Sequence, residues 1–251
     1  MPSNENSTAK VMTFVLIMTS VVALLLAFLQ NGLKSKHDFN EALYSKKATI
    51  AAVGMHLGED LATLSGDQIQ SIFDDQVQQF AVDHQGNIID KDELLKRGVK
   101  LGLVENMDLK KEMRKPLEER LMPVYIYKKD DGKKFYILYA RGKGLWDEIW
   151  GNVALESDLN TVAGVSFDHK AETPGLGAEI KDNKSWVRQF IGKKVFKDEK
   201  LMSINVRKGG AKDPYYEVDG ISGATITGDG VSDMLYISFR AYSPYINSIK
   251  S

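Results

Sequence analysis

The sequence contains no cysteine among its 251 residues. This absence excludes disulfide bonds, thiolate metal sites, cysteine-ligated iron–sulfur clusters and cysteine nucleophiles. Any redox chemistry must therefore use an organic cofactor or a metal held by histidine and carboxylate side chains. An excess of charge is also missing, because 33 Lys and Arg face 34 Asp and Glu, for a formal net charge of −1. This balance argues against general nucleic-acid binding, which needs an excess or a cluster of cations.

Charge is absent from a long apolar run near the N-terminus. Val11–Leu29 is apolar apart from a few hydroxyls, and no charged residue occurs between Lys10 and Lys34. As a helix this run is about 28 Å long, close to the hydrocarbon thickness of a bilayer. The sequence therefore predicts a short tail at residues 1–10 and a transmembrane helix at 11–33. The alternatives are a buried core helix and a cleaved signal peptide, whose apolar run is shorter and ends in a small-residue cleavage site.

The charges around this segment leave its orientation open. Lys10 precedes the span, whereas several lysines follow it, namely Lys34, Lys36, Lys46 and Lys47. Read literally, the positive-inside rule places the larger C-terminal part in the cytoplasm. The rule is weakest for long trailing domains, which cross a membrane largely regardless of charge.

Residues 34–251 contain no repeat and no second obvious linker, which predicts one globular domain. Hydrophobic residues make up 43% of the chain, a globular rather than a disordered composition. Lys34–Met55 is expected to continue the membrane helix or to form a stalk. The charge-rich residues Lys91–Arg120 indicate a solvated, irregular excursion.

Local patterns predict the elements of this domain. Ser65 and Gln68 match a helix capping box, and the apolar residues that follow at helical spacing are Ile69, Ile72, Phe73, Val77 and Phe80. Val124–Tyr127 and Phe135–Ala140 flank Asp131-Gly132 and predict a β-hairpin. Three further strands, a short helix and a final helix are predicted at Thr161–Phe167, Met202–Val206, Tyr215–Val218, Asn183–Ile191 and Gly230–Tyr242. Hairpins mixed with helices predict an α+β fold with a mainly antiparallel sheet.

The most informative glycine-bearing stretch is Asp219–Gly230, which reads DGISGATITGDG. Its small side chains let a bulky ligand approach the backbone, and they are Ser222, Gly223 and Ala224. Thr225 and Thr227 stand just before the predicted helix, where free N–H groups and the positive end of the dipole favour an anion. The stretch is a candidate phosphate site, although it lacks the Gly-Lys-Ser/Thr ending of a P-loop. The alternative is a loop whose Thr227 caps the helix.

A second stretch reads AETPGLGAEI from residue 171. A Pro-Gly turn ending at Gly175 places Leu176 between two glycines, the second being Gly177. A leucine displayed in this way can press against a flat ring, with Glu172 and Thr173 offering polar contacts at the ring's edge. An ordinary turn that buries Leu176 explains the pattern equally well.

A third stretch, Arg141–Gly151, reads RGKGLWDEIWG directly after the hairpin. Leu145 and Trp146 are apolar residues in a glycine-flanked loop, and Lys143 is available to an anion. Trp146 and Trp150 are also spaced as neighbours on a helix, so a short core helix is the alternative.

A histidine and carboxylate metal site is a weaker hypothesis. Asp168, His169 and Glu172 are close in sequence and have suitable donor atoms. The other histidines, His37, His56 and His84, lack comparable spacing. A structural role, in which His169 orients the neighbouring loop, is the preferred interpretation.

Taken together, these stretches resemble one family. Asp219–Thr225 matches the pattern D-x-x-(S/T)-G-A-T of proteins that carry covalently bound flavin mononucleotide (FMN). Glu172–Gly177 (ETPGLG), Gly142–Trp146 (GKGLW) and the single N-terminal transmembrane helix extend the match over most of the chain. The sequence therefore resembles the C subunits of the sodium-pumping NADH:quinone oxidoreductases.

The resemblance implies a covalent cofactor and a location. In that family the last threonine of the pattern, here Thr225, is joined to FMN through a phosphodiester by a separate flavin transferase acting outside the cytoplasm. Residues 34–251 would form a periplasmic FMN-binding domain anchored in the bacterial inner membrane, with residues 56–123 as a family-specific excursion.

The implied function is electron carriage in a complex that oxidises NADH, reduces ubiquinone and exports Na⁺. The expected partners are its other membrane and flavin subunits, the flavin transferase and the lipid bilayer, with no nucleic acid. NADH is expected to bind another subunit, because no glycine motif for dinucleotide binding follows a predicted strand. No catalytic residue and no metal ligand is assigned. The candidate FMN contacts besides Thr225 are Leu145, Trp146, Glu172, Thr173, Gly175, Leu176, Gly177, Ser222, Gly223, Ala224 and Thr227.

Two rival functions stay open at this point. One is the FMN-carrying subunit of the related ferredoxin-linked ion-pumping complex, or a membrane regulator with an FMN domain. The excursion at residues 56–123 favours the sodium pump, because the ferredoxin-linked counterpart is usually more compact there. The other rival is a membrane-tethered sensing or scaffolding domain without a redox role.

Overall fold

The structure, a computed structural model, describes residues 5–57 and 60–250. Residues 1–4 of the predicted tail, Gly58 and Glu59 of the predicted excursion, and Ser251 lie outside the described residues. The chain divides into two compact units, Met1–Tyr44 and Ser45–Ser251.

The first unit consists of most of a single long helix, α1, which spans Glu5–Ala51. Its apolar part has a mean hydropathy of 2.6 and is long enough to cross a membrane. The hydroxyls within it are satisfied along the helix, since Thr13 Oγ1 donates to the carbonyl of Ala9 and Thr19 Oγ1 to that of Val15, both at 2.9 Å. The predicted membrane segment at 11–33 lies inside α1, whose length and composition fit a membrane anchor.

The second unit is built on a six-stranded antiparallel sheet. Its strands lie in the order β2-β1-β3-β4-β5-β6. They are β1 (Val77–Val82), β2 (Ile88–Ile89), β3 (Met122–Lys128), β4 (Lys134–Lys143), β5 (Glu148–Leu155) and β6 (Val162–His169). The predicted hairpin is confirmed as β3 and β4, with Val124 opposite Leu138 and Gly132 at φ 84° in the turn.

Short helices and small strands complete the unit. The helices are α2 (Gly66–Gln76), α3 (Lys91–Lys96), α4 (Leu109–Glu112), α5 (Glu179–Asp182), α6 (Lys184–Arg188) and α7 (Thr225–Lys250). The small strands are β7 (Phe196–Lys197), β8 (Lys200–Leu201), β9 (Asn205–Arg207) and β10 (Glu217–Asp219). β7 pairs antiparallel with β8, and β9 pairs parallel with β10. The prediction of an α+β fold with a mainly antiparallel sheet is confirmed.

One face of the sheet packs against α7 and the α5–α6 segment. The predicted apolar face of the last helix is confirmed, and its buried residues include Val231, Met234, Leu235, Phe239 and Tyr242. The Tyr242 hydroxyl donates to the carbonyl of Pro123 at 2.7 Å. Trp186 and Phe190 pair edge to face at 5.1 Å, and the chain turns away at Gly192, whose φ is 80°.

The other face of the sheet is covered by the last turns of α1 and by the segment before β3. Ile50 and Val53 are fully buried there. His56 stacks on Phe135 at 4.5 Å, and Phe73 of α2 meets Tyr125 edge to face at 6.0 Å. The end of α1 is therefore part of the domain's core.

A buried lysine joins the end of α1 to the segment that covers this face of the sheet. Lys46 is 7% exposed, and its ammonium lies 3.0 Å from Glu105, 3.6 Å from Asp74 and 5.1 Å from the centre of the Phe73 ring. Because a buried ammonium needs such partners, residues 45–51 are tied to two separate parts of the covering segment.

Two sequence-based expectations differ from the structure. α2 ends at Gln76, so Val77 and Phe80 are on β1, where each residue of the strand pairs with β3. The residues Lys91–Arg120 are mostly exposed, as predicted, but they are more regular than expected. They form α3 and α4, which are capped by Asp90 and Asp108, and their buried residues include Leu94, Val99, Val104 and Met107. Side-chain capping made these short helices possible despite the high density of charge.

The remaining strand predictions were placed correctly but differ in extent. β6 confirms the strand predicted at Thr161–Phe167. The two later strands are shorter than predicted, since β9 begins only at Asn205 and β10 only at Glu217.

Replacing Gly164 by alanine is expected to destabilise the domain. A Cβ at this position on β6 would lie 2.4 Å from the carbonyl oxygen of Ala52, which is backbone and cannot move aside easily. We expect Gly164→Ala to lower the free energy of unfolding by about 1–3 kcal/mol. Urea unfolding of the full chain in detergent measures this. The control is Gly54→Ala, where a Cβ meets nothing within 4 Å, and equal stability of the two variants would contradict the packing described.

Candidate functional site

Thr225 is the first residue of α7, five positions earlier than the predicted helix start at Gly230. The first helical hydrogen bond runs from the Gly228 N–H to the Ala224 carbonyl at 2.9 Å, directly after a turn at Gly223 with φ 75°. Helix geometry leaves the N–H groups of the first turn without acceptors inside the helix. The exposed Thr225 side chain is therefore within the helix start rather than before it.

The third stretch forms the tip of the β4–β5 hairpin. The turn is closed by a 2.8 Å hydrogen bond from the Gly144 N–H to the Asp147 carbonyl. Trp150 is on β5, and Trp146 is in the turn with 65% of its surface exposed. The alternative of a short core helix carrying both tryptophans is therefore wrong.

Glu172 joins all three glycine-bearing stretches. Its side chain is buried, with the residue 4% exposed. Oε1 accepts a hydrogen bond from the Trp146 N–H at 2.9 Å, and Oε2 accepts one from Thr227 Oγ1 at 2.6 Å. The carboxylate thus holds the β4–β5 turn and the first turn of α7 to the segment in which it lies.

Two glycines make room for this carboxylate. A Cβ at Gly144 would lie 2.5 Å from Oε1 of Glu172, and a Cβ at Gly177 would lie 2.3 Å from Oε2 and 2.7 Å from Thr227 Oγ1. No real Cβ makes contacts this short. The predicted contact residues Glu172, Gly177 and Thr227 are therefore packed on one another.

An exposed apolar surface lies next to this junction. We call it the apolar platform, and it consists of Leu145, Trp146 and Leu176, which are 42%, 65% and 41% exposed. The indole Nε1 of Trp146 donates to Thr173 Oγ1 at 3.1 Å. Leu176 covers Gly223, where a Cβ would lie 2.6 Å from Leu176 Cδ2. The alternative in which Leu176 is tucked into the core is wrong, and the platform connects the second stretch to the one that contains Thr225.

A cleft of about 490 Å³ adjoins Thr225. Ser222, Gly223 and Ala224 line it as predicted neighbours of Thr225, whereas Gly175 lies outside it. Further lining comes from residues that sequence reasoning missed, and these include Val206, Lys208, Gly209 and Gly210. The Lys-Gly-Gly run after β9 was the available signal, but only the parallel pairing of β9 with β10 brings it here.

His169 has a structural role. Its Nδ1 accepts the Glu172 N–H at 3.2 Å, which supports the interpretation that His169 orients the neighbouring loop. Among the residues that the structure describes, no group of three or more histidine, aspartate or glutamate side chains is placed to hold a metal ion.

Comparison with known proteins identifies the family. Residues 144–237 match the family model of the FMN-binding domain. A curated relative from Pseudomonas aeruginosa, the C subunit of its Na(+)-translocating NADH-quinone reductase, is 32% identical over 93% of this chain and 92% of its own length. The chain belongs to this family of C subunits. A second member, from Vibrio anguillarum, is 29% identical over the whole of this chain and 98% of its own length.

Solved structures from the same family agree with this assignment. The crystal structure of the C subunit from Parabacteroides distasonis has a TM-score of 0.72 and 30% identity, covering 85% of this chain and 96% of its own. The structure of the Shewanella oneidensis protein has a TM-score of 0.69 and 26% identity, covering 84% and 98%. The protein is therefore an FMN-binding flavoprotein subunit of the Na(+)-translocating NADH-quinone reductase. The matched domain contains all three glycine-bearing stretches from Gly144 onward.

Removing the Thr227 hydroxyl is expected to destabilise the contact between Glu172 and the first turn of α7. Thr227→Val keeps the shape of the side chain but leaves Oε2 of the buried Glu172 without its donor, at a cost of about 1–3 kcal/mol in the free energy of unfolding. Thr227→Ser keeps the donor and is expected to lose much less. Chemical denaturation of the full chain compares the two. Equal loss in both variants would contradict the role given to the hydroxyl.

Proposed function

We propose that this chain is the electron-carrying subunit of a membrane complex that oxidises NADH, reduces ubiquinone and exports Na⁺, with FMN joined to Thr225 by a phosphodiester. The observation that carries the proposal is the position of Thr225. Its side chain is exposed at the first position of a 26-residue helix, beside a cleft. Leu176 of the apolar platform rests on the nearby Gly223.

The start of α7 suits a phosphodiester. The first-turn N–H groups and the positive end of the helix dipole stabilise one negative charge. None of the residues in this first turn is acidic. Lys208 is the only cation that lines the adjoining cleft in the described part of the chain, and the carboxylates of Asp219 and Asp229 line it as well. These features fit the group that the family implies.

The platform suits a flat, largely apolar ring. Leu145, Trp146 and Leu176 offer exposed apolar surface, and Thr173 is held at its edge by the indole of Trp146. Glu172 has both oxygens engaged inside the protein. We therefore assign Glu172 the role of positioning Trp146 and Thr227, rather than a direct contact with the ring.

Bound FMN supplies the group that takes up and releases electrons. The chain's own residues bind and orient it: Thr225 is a tether, neither acid nor base, and the platform shields one part of the ring from water. Ser222 and Gly175 are exposed and leave the backbone open to close approach. Gly177 and Gly223 are instead covered by Glu172 and Leu176, and Ala224 is buried. Because the NADH site belongs to another subunit in this proposal, electrons must enter and leave across a contact between subunits.

The attachment of FMN determines on which side of the membrane the domain lies. We propose that a separate flavin transferase esterifies Thr225 outside the cytoplasm, so residues 34–251 are periplasmic. The long apolar stretch of α1 supports a single-pass anchor in the inner membrane, preceded by the short tail at residues 1–10. The excursion at residues 56–123 supports the sodium-pumping complex over its ferredoxin-linked relative.

Thr225→Val is expected to give a folded protein without covalent flavin. The substitution removes the only group that forms the ester and changes no buried contact, because Thr225 is exposed. Expression with the transferase, followed by a denaturing gel viewed for flavin fluorescence, measures the linkage. Thr225→Ser keeps a hydroxyl and is expected to retain flavin. Fluorescence that persists in Thr225→Val would place the attachment elsewhere.

Leu176→Ser is expected to expose the attached ring. Leu176 is already 41% exposed, so the substitution costs little folding energy but removes apolar surface from the platform. Iodide should then quench the flavin fluorescence more efficiently in the variant. The control is Leu103→Ser, a leucine of similar exposure (37%) outside the platform. Unchanged quenching in Leu176→Ser would show that the ring lies elsewhere.

A further inference from the structure

A compact cluster of charge lies beside the β4–β5 turn. Three cations surround Glu148, the first residue of β5, and we call this group the basic cluster: Lys110, Arg114, Arg141 and Glu148. Arg141 Nη2 lies 2.5 Å from Oε2 of Glu148, Lys110 Nζ lies 3.4 Å from the same oxygen, and Arg114 Nη2 lies 2.9 Å from Oε1. Three positive charges share one negative charge, so the cluster has an excess of two.

Arg141 is the inner, well-anchored cation of the cluster. Arg141 also donates to the Tyr139 hydroxyl at 2.9 Å, and its guanidinium lies 5.2 Å from the centre of the Trp150 ring. Burial of Glu148 opposes its ionisation, but the hydrogen bonds from Arg141 and Arg114 outweigh this and lower its pKa to about 2. Glu148 therefore stays charged at physiological pH and holds the cations in place.

The two outer cations face solvent. The side chains of Arg114 and Lys110 are 66% and 44% exposed, whereas that of Arg141 is only 13% exposed. Both outer cations come from α4 and the residues after it, inside the excursion at residues 56–123. Isolated ion pairs at a surface add little stability, so folding alone gives no reason for two additional cations on one carboxylate.

The cluster lies at the β4–β5 turn, which also contains Leu145 and Trp146 of the apolar platform. Asp147 lies between Trp146 and Glu148 in sequence, and Lys110 is close enough to contribute to lowering the pKa of Asp147, after the larger effects of hydrogen bonds from Lys170 and the Glu148 backbone. Exposed arginine is enriched in protein interfaces and among the residues that dominate their binding energy.

We propose that the basic cluster forms the surface on which an acidic segment of another subunit of the reductase docks. Family membership supplies the partner, because this chain is one subunit of a larger complex. Opposite charge both guides the encounter and fixes the register of such a contact. This proposal rests on the proposed function in one respect: electron transfer from a ring on the platform is the reason for the contact.

A zero-length carbodiimide cross-linker tests this in the intact complex, since it couples an amine only to a carboxylate in contact with it. The expected product joins the peptide containing Lys110 to an aspartate or glutamate of another subunit. Lys110→Arg keeps the charge but cannot couple in this way, and is expected to lose the product. In the isolated chain the expected coupling is internal, to Glu148, which lies 3.4 Å away. Finding only this internal product in the complex would overturn the proposal.

Charge reversal gives a second readout on the same complex. Lys110→Glu with Arg114→Glu should lower the amount of this chain that survives a high-salt wash of the tagged complex by about tenfold. The matched control is Lys197→Glu with Lys200→Glu, two exposed lysines on the β7–β8 hairpin, and it should be retained like wild type. Equal retention of both variants, or a loss that follows replacement of anionic by neutral lipid, would overturn the proposal.

The reversal experiment separates this proposal from the flavin assignment. The intact mass of each variant reports one added FMN independently of retention, and it also shows that the variant folds well enough to be modified. If the wild-type protein carries no FMN, the proposed function is wrong. The docking proposal would then be judged on the cross-link alone. Lys110→Gln with Arg114→Gln is a milder pair, and we expect intermediate retention.

Discussion

The site depends on one buried carboxylate. Glu172 accepts the Trp146 N–H and the Thr227 hydroxyl, and no arginine or lysine is paired with it among the residues that the structure describes. Burying a carboxylate is costly unless its oxygens are hydrogen-bonded, so both donors must be in place for the domain to fold well. This one side chain therefore holds three separate loops in place together. Gly144 and Gly177 are glycines because the carboxylate occupies the space that a Cβ would need.

The consequence is a site that is assembled before any ligand arrives. With Thr227 fixed, the first turn of α7 is fixed, and Thr225 is held at a helix start whose N–H groups suit a phosphate. With the Trp146 backbone fixed, the β4–β5 turn displays its apolar side chains next to Leu176. Under the proposed function, a tether at Thr225 would need only one bond to position a ring, because the protein's own contacts hold the surface proposed to receive it. The six-stranded sheet behind these loops supports them.

Part of this could be predicted from the sequence, for identifiable reasons. The β3–β4 hairpin followed from alternating apolar residues around Asp131-Gly132, and the buried face of α7 followed from its period. The contacts of Glu172 could not be predicted, because its partners are 26 and 55 residues away in the chain. Val77 and Phe80 extended the helical spacing of α2, although long-range pairing with β3 makes them a strand.

The excursion was the hardest segment to interpret. Its helices α3 and α4 are one or two turns long and have aspartate caps, which a charge-rich composition conceals. It also covers one face of the sheet, a role that no local pattern reveals. Lys208 was missed for a related reason, since it reaches the cleft only through the pairing of β9 with β10. The motifs therefore identified the family, whereas the packing around them required the structure.

The most direct test of the account compares two substitutions of Glu172 by the FMN content of the purified protein. Glu172→Gln keeps an acceptor for the Trp146 N–H and a polar partner for Thr227, and the account predicts that most of the covalent FMN is retained. Glu172→Ala removes both, and the account predicts a protein with an intact sheet by circular dichroism but only a small fraction of the FMN. Full FMN content in Glu172→Ala would contradict the claim that this carboxylate assembles the site.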